Sequence, residues 1–202
     1  MSYPSFFDEV ASITLRDPLA EILGAVTDGL MEYRYADAVK FAGHSCPTVA
    51  GAYLMALKAL DRLYTGGVAE RGAVQVEFRA AQGDGVTGVT AAIVGLLTGA
   101  AGEGGFKGLG GRFSRQNLLR FAAGNDAALR FTRLDSGESL GVSYHPEVVP
   151  APPELQGLMP RLGSGAASAA EREEFASLWQ MRVKRILIDH FDDPKLVVIS
   201  PD

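Results

Sequence analysis

The run Gly43-His44-Ser45-Cys46-Pro47-Thr48-Val49-Ala50-Gly51-Ala52-Tyr53-Leu54 decides how the rest of the chain is read. Proline has no N–H to lose at a first helical position, so a helix is expected to begin at Pro47, with Cys46 at or beside its N-cap. Ala50, Tyr53, Leu54, Leu57, Leu60 and Leu63 then recur at helical spacing, and Gly66-Gly67 supplies the stop. Unpaired amide donors and the positive end of the helix dipole favour a thiolate at Cys46. A deprotonated sulfur is both the nucleophile and the metal-binding form. His44, two residues earlier, reaches the same space if the backbone is extended. An imidazole beside a thiolate suits a zinc site, or an acid/base and nucleophile pair. The competing reading is a small buried thiol with a capping or core histidine.

Outward from this helix, Val74, Val76, Phe78 and Ala80 alternate with Gln75, Glu77 and Arg79, the period of a half-buried strand. Asp17-Pro18, followed by Leu19, Ile22, Leu23 and Val26, reads as a short helix capped by Asp17. Thr90 to Leu97 reads as a closely packed helix, Glu103 to Gly111 as loop, and Ser114 to Ala122 as another short helix capped by Ser114. Leu129 and Phe131, then Val142 and Tyr144, form a hairpin around Asp135-Ser136-Gly137. Val149 to Ser168 is rich in Pro, Gly, Ala and Ser and is expected to be a surface connection. Glu171 to His190 is the last long helix, burying Phe175, Leu178, Val183, Ile186 and Leu187; on it Trp179, with Val183 and Ile186, reads as a core or dimer face, against a cofactor box over Trp179, Gln180, Met181 and Arg182. Leu196 to Ile199 is an edge strand. Helices and strands mix without strict alternation, so the expected class is α+β, a mixed or antiparallel sheet packed by helices in a single domain.

The 202 residues, 47% hydrophobic and 21% charged, suffice for one core without staples and exclude disordered or collagen-like classes. A net charge of −5 with no basic block argues against nucleic acid as a partner. One cysteine excludes an intrachain disulfide and a zinc module built on two or more cysteines of the chain. Gly85 to Gly102 is uncharged and span-length, but it is rich in Gly, Ala and Thr, so it is expected to be buried helix plus loop, with no membrane association. The first residues lack the pattern of a signal peptide, and a cytoplasmic location is expected.

Gly83-Asp84-Gly85-Val86-Thr87-Gly88 matches a dinucleotide fingerprint, yet Glu103, at the required distance, lies in loop and not at a strand end. Lys107 lacks the Gly-Lys-Ser/Thr pattern of a phosphate loop. His145, before Pro146, is expected to be structural, and His190 to cap a helix C-terminus.

Phe41-Ala42-Gly43-His44-Ser45-Cys46-Pro47 resembles the F-x-G-H-x-C-P signature of the FmdE family, proteins similar to a component of formylmethanofuran dehydrogenase. A looser likeness continues through Val74–Arg79, Leu97-Thr98-Gly99 and Gly102 to Gly108, covering about residues 20–145 and leaving the last helix as an extension. The resemblance implies an α+β core, an intertwined homodimer and a metal-containing cleft around the motif, with His44 and Cys46 as ligands and zinc as the expected divalent ion. The C-terminal zinc ribbon of some members is expected to be absent. Many members carry a cysteine and an aspartate after the strand; here Ala81-Gln82-Gly83-Asp84-Gly85 holds no thiol, so the ligand shell must differ.

Asp84 is then the first candidate for a third ligand or base, against a turn-forming aspartate between glycines. Lys107 is a candidate to hold an anionic or carbonyl-bearing small molecule, against a solvated loop lysine. The expected function is a metal-dependent enzyme or redox accessory protein related to one-carbon metabolism, with His44, Cys46, Asp84 and Lys107 at its site. A non-catalytic metal or cofactor carrier dimer and a metal-free reactive-thiol protein are the alternatives.

Overall fold

The structure is a computed structural model that describes residues 3–201. Six α-helices and two sheets make up the α+β architecture of these residues. Strands β1 (Ile13–Arg16) and β2 (Leu30–Tyr33) pair as an antiparallel ribbon, with α1 (Pro18–Ile22) between them. Helices α2 (Tyr35–Ala42) and α3 (Pro47–Leu63) lead to β3 (Val74–Phe78), α4 (Thr87–Thr98) and the short β4 (Leu119–Arg120). The hairpin β5 (Leu129–Arg133) and β6 (Ser139–Tyr144) follows, then α5 (Glu154–Gly163), α6 (Ala169–Lys184), a π-helical turn over Arg185–Asp189 and β7 (Val197–Pro201).

The main sheet has the order β4-β3-β5-β6-β7 and is mixed: β3 and β4 are parallel across α4, and every other pair is antiparallel. Val76 faces Phe131, and Phe131 faces Leu140, so one continuous apolar layer runs across three strands. The alternation in β3 holds: Val74, Val76 and Phe78 are buried, while Gln75 and Glu77 are half-buried. β7 lies at the sheet edge, as its sequence suggests.

Helix α3 is the centre of the molecule. Twelve of its 17 residues are buried, which makes it a core helix and not the one-sided helix implied by a single apolar stripe. Ala50, Gly51, Ala52, Ala56 and Ala59 let neighbours approach closely on faces that the large residues do not cover. Each fully buried leucine, such as Leu54 or Leu60, contributes roughly 2 kcal/mol by leaving water.

Asp17 caps α1, its Oδ1 accepting from the N–H groups of Leu19 and Ala20 at 3.0 and 3.2 Å. The same buried carboxylate accepts from Arg115 Nη2 at 2.7 Å and from Arg71 Nη1. Arg71 also donates to the carbonyls of Leu96 and Leu97 at the end of α4, where the helix dipole favours a cation. One carboxylate thus ties the β1–α1 corner to α4 and to the glycine-rich segment before β4.

That tie explains one departure from the sequence reading. Ser114 to Ala122 is no helix: Asn117 and Ala122 have positive φ, Arg115 reaches back to Asp17, and Leu119–Arg120 joins the sheet as β4. A second departure is α5, which occupies the supposed surface connection between Val149 and Ser168. Pro152 and Pro153 precede the helix, where a missing N–H costs little, and Leu155 and Leu158 are buried one turn apart. A third is the last helix, which turns π-helical after Lys184; Val183, Ile186 and Leu187 are buried, but Phe175 and Leu178 are only half-buried. The uncharged Gly85–Gly102 segment holds the 12-residue α4 followed by loop, and no helix among the described residues is long and apolar enough to cross a membrane.

Candidate functional site

Gly43 ends α2 in the left-handed conformation, φ 77°, with its N–H on the Val39 carbonyl. A side chain would be strained there, and the turn swings His44 and Ser45 out between two helices. Cys46 then takes an extended conformation, φ −151° and ψ 167°, as the N-cap of α3, and Pro47 occupies the first helical position. The N–H of Val49 donates to Cys46 Sγ at 3.4 Å, so the sulfur takes the acceptor role of a capping oxygen. Cys46 is partly accessible.

His44 is exposed, and its Nδ1 lies 3.0 Å from the Ala42 carbonyl. A carbonyl can only accept, so Nδ1 carries a proton, and in the neutral ring Nε2 presents the lone pair. Metal-binding imidazoles are commonly oriented in this way, by a hydrogen bond from the ring nitrogen that does not face the ion.

Ser45, between the two candidate donors, is gripped from three sides. Its hydroxyl donates to Gln180 Oε1 at 3.0 Å, which leaves the 2.9 Å contact with Tyr35 to be a bond donated by the tyrosine. Burial pushes the Tyr35 hydroxyl well above its ordinary pKa and keeps that proton in place. The Ser45 carbonyl accepts from Trp179 Nε1 at 3.0 Å and from Gln180 Nε2 at 3.3 Å. Helix α6 therefore holds the backbone of the His44–Cys46 segment.

His44 and Cys46 open onto one cavity of about 650 Å³, within the size range of small-molecule sites. Pro47 and Thr48 continue the α3 wall, Val86, Val89 and Thr90 form the α4 wall, and Tyr144 and Pro146 close the end of β6. Trp179 and Arg182, one turn apart on α6, complete it. Tyr144 can lie there because residue 51 is glycine: a Cβ on Gly51 would overlap its ring. The Tyr144 hydroxyl donates to the Pro47 carbonyl at 3.0 Å, and burial raises its pKa despite the nearby Arg182 charge. Its proton is thus held on the helix and is not offered to a ligand.

The structure brings His44 and Cys46 to one cavity but does not bring Asp84 or Lys107 there. Asp84 Oδ2 accepts from the Ala81 N–H at 3.2 Å, closing the turn between β3 and α4. Lys107 lies exposed in the loop before β4. Neither lines the cavity, and among the described residues no group of three His, Cys, Asp or Glu side chains converges on one point. His145 pairs with Glu147 and His190 with Asp193, in keeping with structural roles. Sequence reasoning does not single out Thr48 or Tyr144, and for the stretch holding Trp179 and Arg182 it favours a core or dimer face over a cofactor box. The only signal on α6 is that Trp179 and Arg182 fall on the side of the helix that carries Val183.

The described residues thus form an α+β domain whose cavity opens where a His-x-Cys-Pro segment enters the central helix. Residues 41–193 match the FmdE family, described as FmdE, Molybdenum formylmethanofuran dehydrogenase operon, and the chain belongs to that family. The match begins at the signature phenylalanine and runs through α6, so the helix that grips Ser45 lies within the family region. Among curated proteins, none matches the chain. The family's description associates it with formylmethanofuran dehydrogenase and so with one-carbon metabolism.

Proposed function

We propose that the chain is a metal-binding member of the FmdE family that handles a small molecule in the cavity between α3, α4 and α6. Zinc is the ion best suited to the donors. The observation that carries this reading is the pairing of two prepared donors on one wall. His44 is fixed through Nδ1 with Nε2 free, and Cys46 Sγ accepts the Val49 N–H at the start of α3. Imidazole nitrogen and thiolate sulfur are common zinc donors, and a site with two of them leaves positions for water, a ligand or a residue of a second chain.

When bound, such an ion supplies Lewis acidity toward a carbonyl or a water molecule. The chain's own residues do the rest. Gln180, Tyr35 and Trp179 fix Ser45 and hence the separation of the two donors. Val86, Val89 and Trp179 give one side of the cavity an apolar lining. A homodimer in the cytoplasm, acting beside one-carbon chemistry, is the setting we propose from the family.

Metal content of untagged protein tests the reading. One equivalent of zinc per chain is expected, lost in both Cys46→Ser and His44→Ala while the fold persists. Binding should also weaken in acid, because both donors must shed protons to bind. Parent-like metal content in both variants would overturn the assignment.

A further inference from the structure

We infer that Arg182 is the specificity-determining group of this cavity and that the ligand is a small organic monocarboxylate. The inference rests on reading the His44–Cys46 cavity as a ligand site, but not on the metal.

Arg182 is a wall residue of the cavity and is held from behind. Its Nε donates to the Val149 carbonyl at 2.8 Å and its Nη2 to the Pro146 carbonyl at 3.1 Å. Two of the five guanidinium N–H donors are thereby used, and three remain. Among the described residues no carboxylate pairs with Arg182, and no aspartate or glutamate lines the cavity. A guanidinium fixed in orientation and lacking a counter-charge, on a cavity wall, is preorganised for a planar oxyanion taken two-pronged. The other lining residues set the rest of the ligand. Val86 and Val89 on α4, with the Trp179 indole, offer an apolar surface to a hydrocarbon or aromatic part. The Thr48 hydroxyl, also on the wall, makes no hydrogen bond among the described residues and can donate to a carboxylate oxygen. A single cation with apolar walls matches a monoanion; a phosphate dianion needs more charge than this lining holds.

Trp179 is the only tryptophan of the chain, so its fluorescence reports occupancy of the cavity directly. The 202-residue chain, as purified and again after treatment with chelator, is titrated with benzoate, with the neutral isostere benzamide and with inorganic phosphate. Benzoate should produce a saturable change, and the other two should bind at least about tenfold more weakly, the weight of charge-assisted hydrogen bonds. Arg182→Gln should weaken benzoate by a similar factor, and Arg182→Lys should restore part of it. The comparison of probes on the unaltered chain stands even if an Arg182 variant fails to fold. No saturable response to benzoate, equal binding of benzamide, tighter binding of phosphate, or parent-like affinity in a folded Arg182→Gln variant would each overturn the inference. Zinc binding measured separately on the same samples decides the metal reading independently: its loss leaves the benzoate result standing, and the reverse holds.

Discussion

The indole N–H of Trp179 donates to the Ser45 carbonyl across 3.0 Å, joining residues 134 positions apart in the chain. Through that bond and the two made by Gln180, the last long helix fixes the segment that carries both candidate metal donors. Residues that orient donors without touching the ion typically change metal affinity by about ten- to hundredfold when removed. Gln180→Ala should therefore weaken zinc binding by roughly tenfold or more. Calorimetric titration checks this, with thermal melting to show that the fold persists. An unchanged affinity would mean that the grip on Ser45 has no bearing on the donors.

Asp84 and Lys107 serve as the contrast. Both lie outside the cavity, one closing a turn and the other exposed in a loop. Asp84→Ala and Lys107→Ala should bind zinc and benzoate like the parent. A tenfold loss in either titration would show that a ligand-bound state recruits them.

Gly51 and Tyr144 are coupled by space. A Cβ at residue 51 overlaps the Tyr144 ring, and forcing a side chain into such a contact costs about 1–3 kcal/mol. Gly51→Ala should lower the melting temperature and displace a cavity wall. In a Tyr144→Ala background the same substitution should cost much less. Equal penalties in both backgrounds would contradict the coupling.

Asp17 anchors two arginines in a buried setting. Removing one partner of a buried ion group leaves uncompensated charge, at a cost of about 3–5 kcal/mol. Asp17→Ala should lose that much stability by urea unfolding, and Asp17→Asn less. A loss below about 1 kcal/mol, the level of a surface pair, would show the cluster to be solvated.

Glu171 gives the pH dependence its sign. The Arg161 guanidinium, followed by the Ser168 cap, lowers its pKa from the ordinary 4.5 to about 2. A carboxylate lowered on folding stabilises fully above its unfolded value, and the gain fades as pH falls toward the folded value. The stability gap between the parent and Glu171→Gln should be constant above pH 4.5 and narrow between pH 4.5 and about 2. A gap that widened in acid would reverse the assignment.

The elements built from short-range patterns are legible in the sequence: α3 from its proline and leucine spacing, β3 from its alternation, the β5–β6 hairpin from its turn, and the Asp17 cap. The β1–β2 ribbon and α2 are not, because their residues, such as Leu30 and Phe41, are in part exposed and show no clean period. Ser114 to Ala122 misleads because Arg115 is drawn to a carboxylate 98 positions away, a pull that no local pattern reports. The site divides in the same way. His44 and Cys46 are visible from a helix start, whereas Tyr144, Trp179 and Arg182 reach the cavity only through tertiary packing.

The most direct test of the central claim is anomalous X-ray scattering at the zinc edge from crystals of the zinc-loaded protein. A peak within about 2.0–2.3 Å of both His44 Nε2 and Cys46 Sγ is the predicted result. A peak away from these atoms, or none at this cavity in zinc-saturated protein, would contradict it.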